Sequence, residues 1–290
     1  MKVLIFFLST LFLTPAWNSW CATVDTLEVD SKVMQRKIKT AVVVPDSYDQ
    51  HTEAYPVLYL LHGGTGSFSD WHHKTPDKTL LHRMVDQYNI IIVTPDGGST
   101  SYYFDSPVDK SSQYETFISQ EVVEKIEKTY RTVKNRKGRA IAGLSMGGHG
   151  AFFIATRHPE LYCAAGSMSG VMNINTATWK VPEEFAQSRA ANFAKLLGPP
   201  EEGAHPYPDY TAVGMTEQMK ANEVKLKFDC GVDDFLIDTN RDLHQKLLAL
   251  QVPHEYTERP GSHSWEYWQN ALPYHLLFVH DIFKENGVAI

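Results

Sequence analysis

Residues 140–151 read AIAGLSMGGHGA. Ser145 sits between Gly143 and Gly147, after an apolar run and before a run of small residues. A serine hydroxyl is a weak nucleophile on its own. It needs an adjacent base, and the base needs an orienting acid. A sharp strand-to-helix turn would expose the hydroxyl, and the two glycines would leave room for it. The helix that follows would aim free N–H groups at a developing oxyanion. At average composition G-x-S-x-G arises by accident about 0.1 times in a chain of this length, so the surroundings must decide.

The base has to come late in the chain. Of the 13 histidines, His244, His275 and His280 fall within helical patterns, where a packed or solvated ring is the ordinary outcome. His263 lies in RPGSHSWEYW, between the last strand-like run and the last helical pattern, where a base for Ser145 belongs. The acid should close the preceding strand, and CGVDDFL offers Asp233 and Asp234 there. Spacing does not separate the two. His72 and His73 beside Asp70 make a poor metal site, because adjacent residues of an extended segment point to opposite sides. No C-x-x-C or H-E-x-x-H occurs, and the sequence predicts neither metal nor organic cofactor.

Something must bring these residues together. After two β-rich stretches, 24–29 and 34–44, continuous apolar runs recur at 55–64, 90–98, 139–145, 163–170 and 224–231, with a shorter, more polar one at 254–261. Such runs are typical of strands buried on both faces. Helical patterns cover 117–130, 147–157, 240–250 and 265–283. The alternation predicts an α/β protein with a mostly parallel central sheet and helices on both faces. Ligands in such sheets bind beyond the carboxyl ends of the strands. The runs end in His62-Gly63-Gly64, Asp96-Gly97-Gly98, Ser145, Ser167/Ser169 and Asp233-Asp234, with His263 after the last. The order Ser145, Asp, His263 is that of an α/β-hydrolase. Asp96 reads as an Asx-Gly turn residue, and His149 as structural. Residues 171–222, rich in proline and aromatics, interrupt the alternation within a single domain, 23–290, and read as a cap-like insertion that roofs the site, with a surface insertion of no role as the alternative.

The chain has 290 residues, 43% apolar and 21% charged, with a formal charge of −7. This is ordinary globular composition, and the acidic balance argues against a nucleic-acid partner. The basic run RTVKNRKGR (131–139) reads as a solvated loop. MKVLIFFLSTLFLTPAW has one Lys, a short apolar stretch and a break at Pro15. That is a signal-peptide pattern, too short for a membrane span. It predicts removal of residues 1–22 and a secreted or periplasmic protein. Lipidation at Cys21 is the lesser alternative, since Trp20 suits such a site poorly. Cys163 and Cys230, each in an apolar run, are expected to be buried free thiols.

The stretches YLLHGGTGSFSDW (59–71), VTPDGG (93–98), YYFDSP (102–107), AGLSMGGHGA (142–151), CGVDDFL (230–236) and GSHSWEYW (261–268) resemble the esterase D-like family of α/β-hydrolases. That family includes S-formylglutathione hydrolases, tributyrin-type esterases, feruloyl and acetyl xylan esterases, and mycolyltransferases. The resemblance implies Ser145 as nucleophile, His263 as base and, as second Asp of the G-x-[DN]-D run, Asp234 as acid. It implies an oxyanion hole from the backbone N–H groups of Gly64 and Met146. The expected activity is serine-dependent hydrolysis of carboxylic esters, small or attached to polysaccharide, with short acyl or feruloyl groups. A formylglutathione-type thioesterase and a mycolyltransferase-type acyl transfer are the alternatives. Trp71, Tyr102, Tyr103 and Trp265, near the strand ends, are candidates for substrate stacking, with core packing the alternative for each.

Overall fold

A computed structural model describes residues 23–200 and 207–290. The expected leader, 1–22, and Cys21 lie outside the described residues. The strands are β1 (Thr23–Ser31), β2 (Arg36–Val44), β3 (Val57–Leu61), β4 (Ile91–Pro95), β5 (Arg139–Leu144), β6 (Ala164–Met168), β7 (Lys225–Gly231) and β8 (His254–Arg259). They form one eight-stranded sheet in the order β1-β2-β4-β3-β5-β6-β7-β8. β1 and β2 form an antiparallel hairpin, and β2 runs antiparallel to β4. Every pairing from β4 through β3 to β8 is parallel. The chain is an α/β-hydrolase by this architecture.

The main helices are α1 (Leu80–Tyr88), α2 (Val123–Thr129), α3 (Met146–Arg157), α4 (Glu183–Leu197), α5 (Ile237–Ala249) and α6 (Trp265–Glu285). The apolar runs fill both faces because side chains alternate along a strand. In β3, Val57, Tyr59 and Leu61 enter one core with α2, α3 and α5, while Leu58 and Leu60 enter the other with α1 and α6. Each run is fully buried, which is why it reads as continuous rather than alternating.

The second β stretch starts later than the expected 34, because residues 32–35 make the hairpin turn, closed by Gln35 at φ 53°. The helical pattern expected over 117–130 is preceded by Tyr114–Thr116, runs through a π-helical segment, Phe117–Val122, and ends with α2. Helices α1 and α4 have no counterpart in the sequence reading. Among the described residues no helix is long and apolar enough to cross a membrane. Cys163 and Cys230 are both free and buried, and burial pushes the Cys163 thiol up to about 12.

Candidate active site

Ser145 occupies the turn between β5 and α3 at φ 53°, ψ −116°. A non-glycine residue at positive φ is strained, and such strain is held in place by its surroundings. Here Ser145 N–H donates to Met168 O at 2.9 Å, and Ser145 O accepts from His149 N–H at 3.1 Å and Val171 N–H at 3.2 Å. The flanking glycines are dictated by crowding. A Cβ on Gly143 would fall 2.4 Å from Gly147 O, and one on Gly147 would fall 2.6 Å from His62 O.

His263 lies in the loop between β8 and α6, which Ser264 begins by capping the helix: its hydroxyl accepts from Tyr267 N–H. His263 Nε2 is 2.9 Å from Ser145 Oγ, and Nδ1 is 2.8 Å from Asp234 Oδ2. Asp234 is only 2% exposed. Its Oδ1 accepts from Leu236 N–H at 2.9 Å, while its own N–H donates to Gly231 O. Asp233 is exposed, its backbone tied to Gly261 O. The tie that spacing left open is therefore broken by orientation: one carboxylate faces the imidazole, the other faces solvent. The ring of His263 is wedged between Phe235 at 4.5 Å and Trp268 at 4.9 Å, centroid to centroid.

Gly64 and Met146 line the same cleft as Ser145 and His263. Met146 is the first residue of α3, and the first N–H groups of a helix lack intrahelical partners. The loop bearing Gly64 is pinned from within. His62 is 1% exposed. Its Nε2 accepts from Gly97 N–H at 2.8 Å, which leaves Nδ1–H to donate to Gly63 O at 2.8 Å. Burial depresses its pKa, consistent with a neutral ring in that tautomer. His62 is thus a positioning group that the sequence reading used only as the end of a strand. Asp96 is a turn residue, Oδ1 accepting from Gly98 N–H at 2.9 Å. His149 is fully buried, its Nε2 2.9 Å from Tyr210 O, and burial lowers its pKa to about 4.

The stacking candidates divide. Tyr102 lines the cleft. Trp71, Tyr103 and Trp265 do not. Trp71 is 1% exposed and its indole N–H donates to Leu61 O at 3.1 Å. Tyr103 is wholly buried, its hydroxyl donating to His62 O at 3.0 Å, so it braces the Gly63-Gly64 loop from below. Trp265, half-buried at the start of α6, packs edge-on against the buried Trp71 and Trp268. The apolar interior outcompetes the cleft for Trp71 and Tyr103, and Trp265 leans on the same core. The cleft takes its aromatic wall elsewhere: Trp179 and Phe185 from the segment 171–222, and Phe235 from the turn after β7. Val171 and Arg189 of the same segment also line it, and the cleft holds about 180 Å³. Among the described residues, no group of three or more His, Cys, Asp or Glu side chains is arranged to hold a metal ion.

Comparisons with known proteins agree with this architecture. The family described as "Putative esterase" matches residues 31–279. An acetyl esterase of Caldicellulosiruptor saccharolyticus is 28% identical over 77% of this chain and 83% of its own length. The diacylglycerol acyltransferase/mycolyltransferase Ag85A of Mycobacterium tuberculosis is 27% identical over 86% of this chain and 78% of its own. A solved ferulic acid esterase superposes with a TM-score of 0.74 at 34% identity, covering 91% of this chain and 99% of that one. Since the family match runs from the β1–β2 hairpin almost to the end of α6, the chain belongs to this esterase family and is a carboxylic-ester hydrolase.

Proposed function

We propose that the chain is a serine esterase in which Ser145, His263 and Asp234 act as one unit on short acyl or hydroxycinnamoyl esters, including those borne by carbohydrate. The observation that carries this reading is the continuous hydrogen-bonded path from Ser145 Oγ through His263 to the buried Asp234. Ser145 Oγ attacks the ester carbonyl while its proton passes to His263 Nε2. The oxyanion is held by the N–H groups of Met146 and Gly64. His263 then gives the proton to the leaving alcohol, and an acyl-enzyme remains. Water enters, His263 takes its proton, the acid departs and Ser145 regains its hydrogen. Asp234 keeps the imidazole in the tautomer that presents an acceptor to Ser145 and stabilises the imidazolium.

The cleft is smaller than the roughly 300 Å³ typical of the smallest drug-sized pockets. Its aromatic wall favours a short or single-ring acyl group, with a polymeric alcohol left outside. The acetyl esterase and ferulic acid esterase among the relatives support the same choice. Acyl transfer is a second reading, supported by the mycolyltransferase relative: an acyl-enzyme can be resolved by any hydroxyl that reaches it. An exported location follows from the leader pattern of residues 1–22 and suits a carbohydrate ester.

Initial rates should be measured for the protein and for Ser145→Ala on 4-nitrophenyl acetate and butyrate, methyl ferulate, acetylated xylan and S-formylglutathione. Removing the nucleophile should cut turnover about 10⁴-fold or more. Full activity in Ser145→Ala would refute the assignment. Products formed with an added alcohol acceptor separate transfer from hydrolysis.

A further inference from the structure

The cleft carries one permanent charge. Of the residues that line it, only Arg189 is permanently ionised, in a chain whose formal charge is −7. Arg189 lies on α4, where Phe185, Arg189, Phe193 and Leu196 follow helical spacing and so share one face. The inner half of that face is anchored. Phe193 is 1% exposed, 4.5 Å from the Tyr102 ring and 6.3 Å from Trp179, centroid to centroid. Asn192 donates to Thr100 O at 3.0 Å, and Ser106 donates to Leu196 O at 2.5 Å. The outer half, Phe185 and Arg189, looks into the cleft. The guanidinium carbon of Arg189 sits 4.8 Å from the Phe185 ring centroid. No carboxylate pairs with it among the described residues. Its field reaches Tyr102, whose phenol it draws down against the larger upward push of burial.

An arginine held on a firmly docked helix, packed over an aromatic ring and without a carboxylate partner among the described residues, presents its fork of donors to a ligand in the cleft. The Phe185 ring beside the guanidinium favours its position over the cleft and reduces the entropy lost when it binds. A purely apolar acyl group would gain nothing from this charge.

We propose that Arg189 is a specificity residue that selects esters bearing an anionic group, a carboxylate foremost, on the part of the substrate lying along α4. This deepens the reading of Ser145 as nucleophile and rests on it. The carboxylate could belong to the acyl half, as in a dicarboxylic half-ester, or to the alcohol half, as in an acylated uronic acid. The chemistry recognised is the same.

The test compares two matched pairs. On the acyl side these are mono-4-nitrophenyl succinate and 4-nitrophenyl butyrate. On the alcohol side they are 4-carboxyphenyl acetate and phenyl acetate. For each pair the ratio of kcat/KM, anionic over neutral, is measured in the unaltered protein, in Arg189→Gln and in Arg189→Lys. Dividing one protein's ratio by another's cancels the intrinsic reactivity of the esters. In Arg189→Gln the ratio should fall roughly tenfold to a hundredfold for one pair, the range of a charge-assisted hydrogen bond, mainly through KM. Arg189→Lys should recover part of it, and about 0.5 M salt should compress the preference in the unaltered protein. The responding pair identifies which half carries the charge.

Equal losses on both members of both pairs would mean that Arg189 only supports α4, and would overturn the proposal. So would hydrolysis of the neutral esters with no turnover of either anionic partner. Ser145→Ala, run on the same four esters, keeps the two ideas apart. Serine-independent turnover refutes the nucleophile, whereas serine-dependent turnover without charge discrimination refutes only the role of Arg189.

Discussion

Replacing Asp234 by Asn tests the central hydrogen-bonded path most sharply, because the site dictates which way the new amide must point. Asp234 uses both oxygens: Oδ1 accepts from Leu236 N–H at 2.9 Å and Oδ2 faces His263 Nδ1 at 2.8 Å. In Asp234→Asn the amide oxygen should stay on Leu236 N–H, which directs the NH₂ group at His263. The imidazole must then accept at Nδ1 and carry its proton on Nε2, so it meets Ser145 as a donor and cannot take the hydroxyl proton. The opposite amide orientation restores the working tautomer but sets NH₂ against Leu236 N–H in a site only 2% exposed. There both donors go unsatisfied, at about 1–3 kcal/mol each, so no more than a few per cent of molecules would hold that orientation, and those lack the carboxylate charge that stabilises the imidazolium. A wrong-tautomer triad typically loses about 10⁴ in kcat. We expect a fall of about 10³–10⁴-fold, or about 4–5.5 kcal/mol in the barrier. The assay is initial rate on 4-nitrophenyl acetate, with circular dichroism to confirm folding. Asp233→Asn, altering a solvent-facing carboxylate, should stay within about twofold. A folded Asp234→Asn variant within tenfold of the unaltered rate would refute the assigned role of Asp234.

Two further outcomes follow from the packing. Gly147→Ala would drive a methyl group to 2.6 Å from His62 O and 2.7 Å from Leu61 O. Both are backbone atoms that cannot turn aside, so thermal unfolding should report a loss of at least about 1–3 kcal/mol and esterase activity should fall with it. Asp229, 1% exposed, meets His275 Nε2 at 2.7 Å, the Tyr267 hydroxyl at 2.9 Å and Arg259 at 3.1 Å. Burial alone would raise its pKa, but the bond and charge of His275, with Arg259 and Tyr267, hold it below the ordinary value. A depressed folded-state pKa gives stability that is present above about pH 4 and lost as pH falls through the folded value. Asp229→Asn should therefore cost about 3 kcal/mol at pH 7, and the gap should close in denaturation curves taken at progressively lower pH below about 4.

Much of the site was legible because its chemistry is tied to local backbone needs. Ser145 announces itself through Gly143 and Gly147, which the crowding against Gly147 O and His62 O requires. His263 stands out because it falls in a loop at a strand end while its rivals fall in helices. Asp234 could not be told from Asp233 by spacing, since what separates them is the fold of the turn that buries one carboxylate under His263. Whether Trp71, Tyr103 and Trp265 would stack on a substrate or pack inside could not be read, because proximity in sequence to a strand end does not say which way a ring will turn. The wall of the cleft was the least legible part. It comes from residues 171–222, where proline and aromatic content indicate an excursion but not its inward face. The spacing of Phe185, Arg189, Phe193 and Leu196 was the available signal, and it lies within a run whose overall polarity hides it.

The hydrogen bond between Ser145 and His263 joins residues 118 positions apart. Contacts of such separation form late, because loop closure must precede any gain from them. A chain whose sheet had assembled through β6 would hold the serine turn with its glycines in place, yet would have no acceptor for the hydroxyl proton. Ester hydrolysis therefore reports on the docking of β8 and the start of α6, not on the bulk of the sheet. During refolding, recovery of activity should lag recovery of helical signal, and the interval between them measures how long β8 and α6 take to find their place.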